Sequence, residues 1–138
     1  MASPPVSDLA LLLESLQPVL NTGTCVFACL PPGQALAGLE PLATFREAEG
    51  LTVVLPEAAA RQAGLPVLFR AAWITLNVHS DLHAVGLTAA VAGALAQAGI
   101  ACDVLAAAHH DHLFVPVEAT QQALQCLLAL QQQAAGPG

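Results

Sequence analysis

Three histidines and a carboxylate fill four consecutive positions, His109-His110-Asp111-His112. Imidazole and carboxylate are good ligands for zinc or nickel. In an extended strand, however, His110 and His112 share a face while His109 and Asp111 point away. Two ligands therefore converge easily, and a third would have to come from His79 or His83. The stronger reading is a polar hairpin turn in which Asp111 bonds nearby backbone or contacts a bound ligand. No metal or cofactor is assigned; divalent-metal binding at this turn stays as an alternative.

A second constellation is Ser80-Asp81-Leu82, followed by Val85-Gly86-Leu87-Thr88. It lies where a strand should hand over to a helix. The first-turn N–H groups of a helix lack internal partners, the helix dipole is positive there, and Gly86 lets backbone approach closely. An amino acid's α-carboxylate would fit, and Asp81, Asp103 or Asp111 could meet its ammonium group. The plainer alternative is that Ser80 and Asp81 start the helix and Gly86 permits close packing. A third segment, Glu49-Gly50-Leu51-Thr52, reads first as a hairpin turn; Glu49 and Thr52 could also lend polar groups to a ligand cleft.

Catalysis finds little support. There is no GxSxG elbow, no GxGxxG or Walker-type loop, and no pair of carboxylates spaced for acid–base work. Cys25, Cys29, Cys102 and Cys126 form no CxxC pair. Cys25 and Cys29 fall on one face of a strand about 13 Å apart, too far for a disulfide or joint ligation. Buried, reduced, inert thiols and a non-enzyme are expected.

Composition narrows the partners. Of 138 residues 56% are hydrophobic and 9% charged, so a packed domain is expected, and some apolar surface should be buried between chains. Three arginines, no lysine and a net charge of −7 exclude nucleic acid and anionic membranes. The N-terminal stretch lacks a positive n-region and does not read as a signal peptide. Residues 84–102 carry no charge, but they are mostly alanine and glycine without basic or aromatic anchors, so no membrane span is expected. The reading is a cytoplasmic homodimer.

The elements that must hold these residues follow from periodicity. Residues 8–16 form a short helix capped by Ser7 or Asp8 and stopped by Pro18. Residues 24–30 are a buried strand. Residues 41–48 and 51–55 make a hairpin, and Pro56 opens a short helix as its first residue, ended by Gly64. Residues 71–78 alternate, with Ala72, Ile74, Leu76 and Val78 on one face and Trp73, Thr75 and Asn77 on the other; Trp73 suits an interface. A helix follows over 84–98 with a stripe of Leu87, Val91, Leu95 and Ala98. Strands over 100–107 and 112–117 flank the histidine turn, and a last helix over 118–130 packs Leu124, Leu127 and Leu128.

From residue 71 the order is β-α-β-β-α, which predicts an α+β, two-layer, ferredoxin-like sandwich, an antiparallel sheet with helices on one face. A full βαββαβ unit needs one more strand, supplied by the first half or by another chain.

The run Trp73–Ser80, Leu82, Ala84–Thr88 and the segment His110-Asp111-His112-Leu113-Phe114-Val115-Pro116 resemble a family of uncharacterised bacterial ACT-domain proteins. Glu49-Gly50-Leu51-Thr52 is similar to that family too, and the likeness spans about residues 9–130. The resemblance implies two ACT-like halves, a degenerate one over 1–65 and a fuller one over 66–131, with a loose tail over 132–138. Cytosolic arginine sensors have a similar tandem arrangement. It further implies a regulatory, sensor-type protein that binds an amino acid or related metabolite at a domain or subunit interface. The alternative without a small ligand is a protein–protein interaction module.

Overall fold

The computed structural model describes residues 8–36, 38–78 and 84–136. The chain divides into two compact units, Thr22–Ala72 and Met1–Asn21 with Trp73–Gly138. The family of elements is α+β throughout, as the alternation of short apolar strands with short helices requires.

In the Thr22–Ala72 unit the strands are β2 (Cys25–Leu30), β3 (Ala43–Glu47) and β4 (Gly50–Pro56), joined by the first residues of β5 (Phe69–Leu76). They pair antiparallel in the order β3-β4-β2-β5, with Phe27 opposite both Val54 and Phe69. Helix α2 (Glu57–Gln62) covers one face, and Val26, Ala28, Leu30, Val53, Leu55 and Ala60 form its core. Phe27 and Phe69 meet edge to face on the other, ring centroids 5.7 Å apart. Among the described residues no helix occupies the connection 31–42 between β2 and β3. Its Pro31-Pro32-Gly33 start cannot sustain one.

Two local expectations change here. The β3–β4 hairpin turns on Ala48-Glu49, and Gly50 already belongs to β4, opposite Glu47. Glycine is needed there for another reason: its φ is +150°, and a Cβ would overlap the Leu30 carbonyl oxygen and lie 2.9 Å from Cys29 Sγ. Pro56 ends β4 and caps α2 from outside instead of opening it, because its ψ of 140° is extended.

In the other unit, α1 (Leu9–Glu14) is capped by Asp8, whose Oδ1 accepts from Leu11 N at 3.1 Å. Strand β1 (Pro18–Leu20) pairs antiparallel with the second part of β5, Leu20 opposite Ile74. The remaining elements are α3 (Leu87–Gln97), β6 (Asp103–Ala106), β7 (Asp111–Pro116), a 3₁₀ turn (Val117–Ala119) and α4 (Thr120–Ala134). Strand β7 neighbours β5 and carries β6 on its far side. The missing strand of the β-α-β-β-α series is thus β1, drawn from the chain's first half: it takes the place beside β5 that a strand after α4 would fill.

Ala72, Ile74, Leu76 and Val78 are buried as their alternation predicts, and so are Leu87, Val91 and Leu95 on one stripe of α3. Several boundaries differ from expectation. Helix α3 starts at Leu87, because Gly86 at φ +101° cannot continue a helix backwards. Asp111 lies in β7 opposite Ala106, so the turn before it is 107–110. On α4 the buried residues are Ala123 and Leu127, while Leu128 is 47% exposed and Leu124 is half-buried. The helix also runs past Leu130 to Ala134, since Gln131–Gln133 are good helix formers and Gln131 Nε2 donates to the Glu14 carbonyl at 2.8 Å. Only Cys25 of the four free cysteines is buried; the others are half-buried.

Candidate functional site

The predicted site residues fall into three groups. Ser80, Asp81 and Leu82, with His79 and His83, lie outside the described residues. Val85, Gly86, Leu87 and Thr88 form the entry to α3. Val85 is 84% exposed and Leu87 is buried in the core, so Leu87 can offer a ligand only its backbone. Gly86 is the N-cap without a side-chain capping bond. A Cβ on it would meet Leu9 Cδ2 at 3.0 Å, so the glycine both admits the left-handed turn and makes room for α1.

The start of β7 stands against the end of β5. His110 Nδ1 lies 3.4 Å from the Val78 carbonyl oxygen; that oxygen can only accept, so the ring nitrogen donates a weak bond. Strand alternation then separates the next two residues. Asp111 shares the helix-covered face with the fully buried Leu113 and Val115, whereas His112 faces Trp73 and Thr75 on the opposite side. This segment therefore cannot act as one ligand cluster. Among the described residues no three His, Cys, Asp or Glu side chains could hold a metal together.

Asp111 is the one buried polar or charged side chain among the described residues, at 8% exposure. Its carboxylate accepts no hydrogen bond from any described residue, while every fully enclosed polar atom among them is satisfied. Burial pushes its carboxyl pKa above the ordinary value, partly offset by the nearby His112 and His110. A poorly hydrated carboxylate with no donor among the described residues is what an incoming ammonium group can satisfy.

On the other side of β7, Trp73 Nε1 donates to His112 Nδ1 at 3.0 Å, and Thr75 Oγ1 lies 3.2 Å from the same nitrogen. Asn21 Nδ2 donates to Thr75 Oγ1 at 2.9 Å. Burial and the His110 charge lower the His112 pKa, against an opposing pull from Asp111. Sequence spacing gave no hint of this cluster, since its bonded pairs stand 37 to 54 residues apart.

Glu49 and Thr52 belong to the Thr22–Ala72 unit. Glu49 sits exposed at the hairpin turn, and Thr52 Oγ1 donates to Glu47 Oε1 at 2.6 Å across β3 and β4. A surface cavity of about 330 Å³ lies between residues 14–18 and α4, where Leu128 and Gln131 line it. None of the predicted site residues borders it. No helix among the described residues is long and apolar enough to cross a membrane.

An ACT-domain model matches residues 4–72, and a second ACT-domain model matches residues 69–129. The chain is similar to a Vibrio cholerae protein of unknown function, described as a possible transport protein. They share 49% identity at a TM-score of 0.81, over 90% of this chain and 96% of that one. An Agrobacterium tumefaciens protein has a similar fold, at TM-score 0.68 and 18% identity over 84% of this chain and 89% of that one. So does the ligand-free regulatory subunit of Thermus thermophilus aspartate kinase, at 0.65 and 14% over 82% and 95%. Curated proteins provide no match. The two matched stretches overlap inside β5, the strand whose first residues close one unit and whose last residues open the other. The chain belongs to the ACT-domain family, a regulatory type of domain, and carries two such domains in tandem.

Proposed function

We propose that the protein is a sensor that binds an amino acid or a closely related metabolite, without transforming it. The observation that carries this reading is Asp111, a carboxylate at 8% exposure that no described residue hydrogen-bonds. It sits at the start of β7, next to the end of β5, and the chain leaves β5 for the N-terminus of α3, which Gly86 opens without a side-chain cap. In this arrangement Asp111 receives the ligand's ammonium group and the first amides of α3 receive its carboxylate. The ACT membership supports a regulatory role for such binding. Ser80, Asp81, Leu82 and His110 are the further candidates for contacts; His112 faces the opposite side of β7, and Glu49 and Thr52 belong to the other unit.

Output follows from occupancy. A ligand that also touches a second subunit shifts the balance between packings by as much as its affinities for them differ. Exposed Val85, beside the α3 entry, suits such a homodimer contact.

A thermal-shift panel of amino acids, each paired with its deaminated and its decarboxylated analogue, tests the reading. A true ligand at about 100 times its Kd adds roughly 2.7 kcal/mol of stability, and both analogues lose the effect. Silence across the panel would replace this reading with a protein–protein interaction module.

A further inference from the structure

The second cluster on β7 is independent of the ammonium site and faces away from it. An indole N–H can only donate. Trp73 Nε1 donates to His112 Nδ1 at 3.0 Å, so that nitrogen carries no hydrogen and the imidazole is neutral, protonated on Nε2. Thr75 Oγ1, at 3.2 Å, donates its hydroxyl hydrogen to the same nitrogen while accepting from Asn21 Nδ2. Asn21 is also tied by its backbone N–H to the Trp73 carbonyl at 2.9 Å, so the cluster joins the end of β1, β5 and β7.

A second proton on His112 affects these bonds unequally. The Thr75 contact survives by inversion, because the hydroxyl can accept where it had donated. The Trp73 contact cannot invert: two N–H groups would face each other, and the indole must leave. The ring centroids are 5.8 Å apart, so the new cation would also sit at the edge of reach of the indole face.

We propose that Trp73 and His112 form a proton-operated latch on the face of β5 and β7 opposite the helices, closed when His112 is neutral and opened by acid. The charged and titratable groups around it are His110 just before the same strand, Asp111 at its start, and Asp103 on β6, two residues from the Leu105 that pairs with His112. Residues 73–76 of β5 and 18–20 of β1 contribute none. His110, when charged, favours opening only at lower pH, and Asp111 works in the opposite sense.

Trp73 is the chain's single tryptophan, so its fluorescence reads the latch directly. The latch predicts one acid transition in emission, centred below the ordinary histidine value of about 6.5, while far-ultraviolet circular dichroism stays constant. His112→Gln removes this transition and His110→Ala moves it upward. Nitrogen NMR of the wild-type imidazole at neutral pH independently shows Nε2 protonated. A hydrogen on Nδ1 at neutral pH overturns the latch, as does an emission transition that His112→Gln leaves in place.

Discussion

Asn21 grips Trp73 and its neighbour from the far end of the chain: its backbone N–H reaches the Trp73 carbonyl at 2.9 Å and its side chain reaches Thr75 Oγ1 at the same distance. This grip pins β1 in the position of the fourth strand of an ACT domain. Three residues of strand are too few to hold themselves there, so the side-chain bonds matter. Asn21→Ala should cost about 1–2 kcal/mol in chemical denaturation. It should also speed hydrogen exchange of the Asn77 amide, which donates to the Gln17 carbonyl, and of the Thr75 amide opposite Val19. An unchanged denaturation midpoint would show that the backbone pairing of β1 with β5 and its packing on α4 hold it without the side chain.

Gly50 provides a sharper stability test. Its added Cβ would overlap a β2 carbonyl, and backbone cannot yield as a flexible side chain can. Gly50→Ala should destabilise by more than about 2 kcal/mol. Gly86→Ala should cost less, about 1 kcal/mol or somewhat more, because its close neighbour is the end of the Leu9 side chain while its φ of +101° still disfavours alanine.

Thiol reactivity separates half-burial from availability. Burial, reinforced by the adjacent Asp103, pushes the Cys102 thiol up to about 11. At pH 8 its thiolate fraction is small, so labelling should be at least about tenfold slower than in the unfolded chain. Fast Cys102 modification in the folded protein would contradict this environment.

Asp111 carries a stability signature of its own. A carboxyl whose pKa is raised by folding contributes stability that is fully present below its unfolded value, near 3.8, and lost as pH rises through the folded value. Above that range the raised carboxyl is therefore a net cost to the ligand-free fold. Asp111→Asn should raise its melting temperature at pH 7 and leave it unchanged near pH 3. His112 acts oppositely: its lowered pKa contributes stability above about 6.5 that is lost as pH falls through the folded value.

Much of this fold is legible in the sequence, for reasons that can be named. The alternation of Ala72, Ile74, Leu76 and Val78 and the Leu87, Val91, Leu95 stripe are strong periodic signals, and both are buried as read. Strand β1 is not legible, because Pro18–Leu20 is too short to show a period. Glu49-Gly50 reads as a turn because glycine follows a charged residue, yet the glycine answers a contact with Leu30 that only tertiary structure reveals. The candidate site divides likewise. Gly86 and Asp111 can be singled out by type and position, and strand alternation already sets Asp111 and His112 on opposite faces, but the burial of Asp111 rests on β7 beginning one residue earlier than the turn chemistry suggests. Trp73 can be placed on the helix-free face but not paired with His112 across 39 residues.

The most direct measurement is calorimetric titration of the best amino acid from the panel into wild type and into Asp111→Asn, with both proteins shown to be folded. The account predicts saturable binding to wild type and a loss of at least about tenfold in affinity, or 1.4 kcal/mol, in a variant that is itself no less stable. Equal affinity in the two proteins, or an unstable variant that still binds, would contradict it.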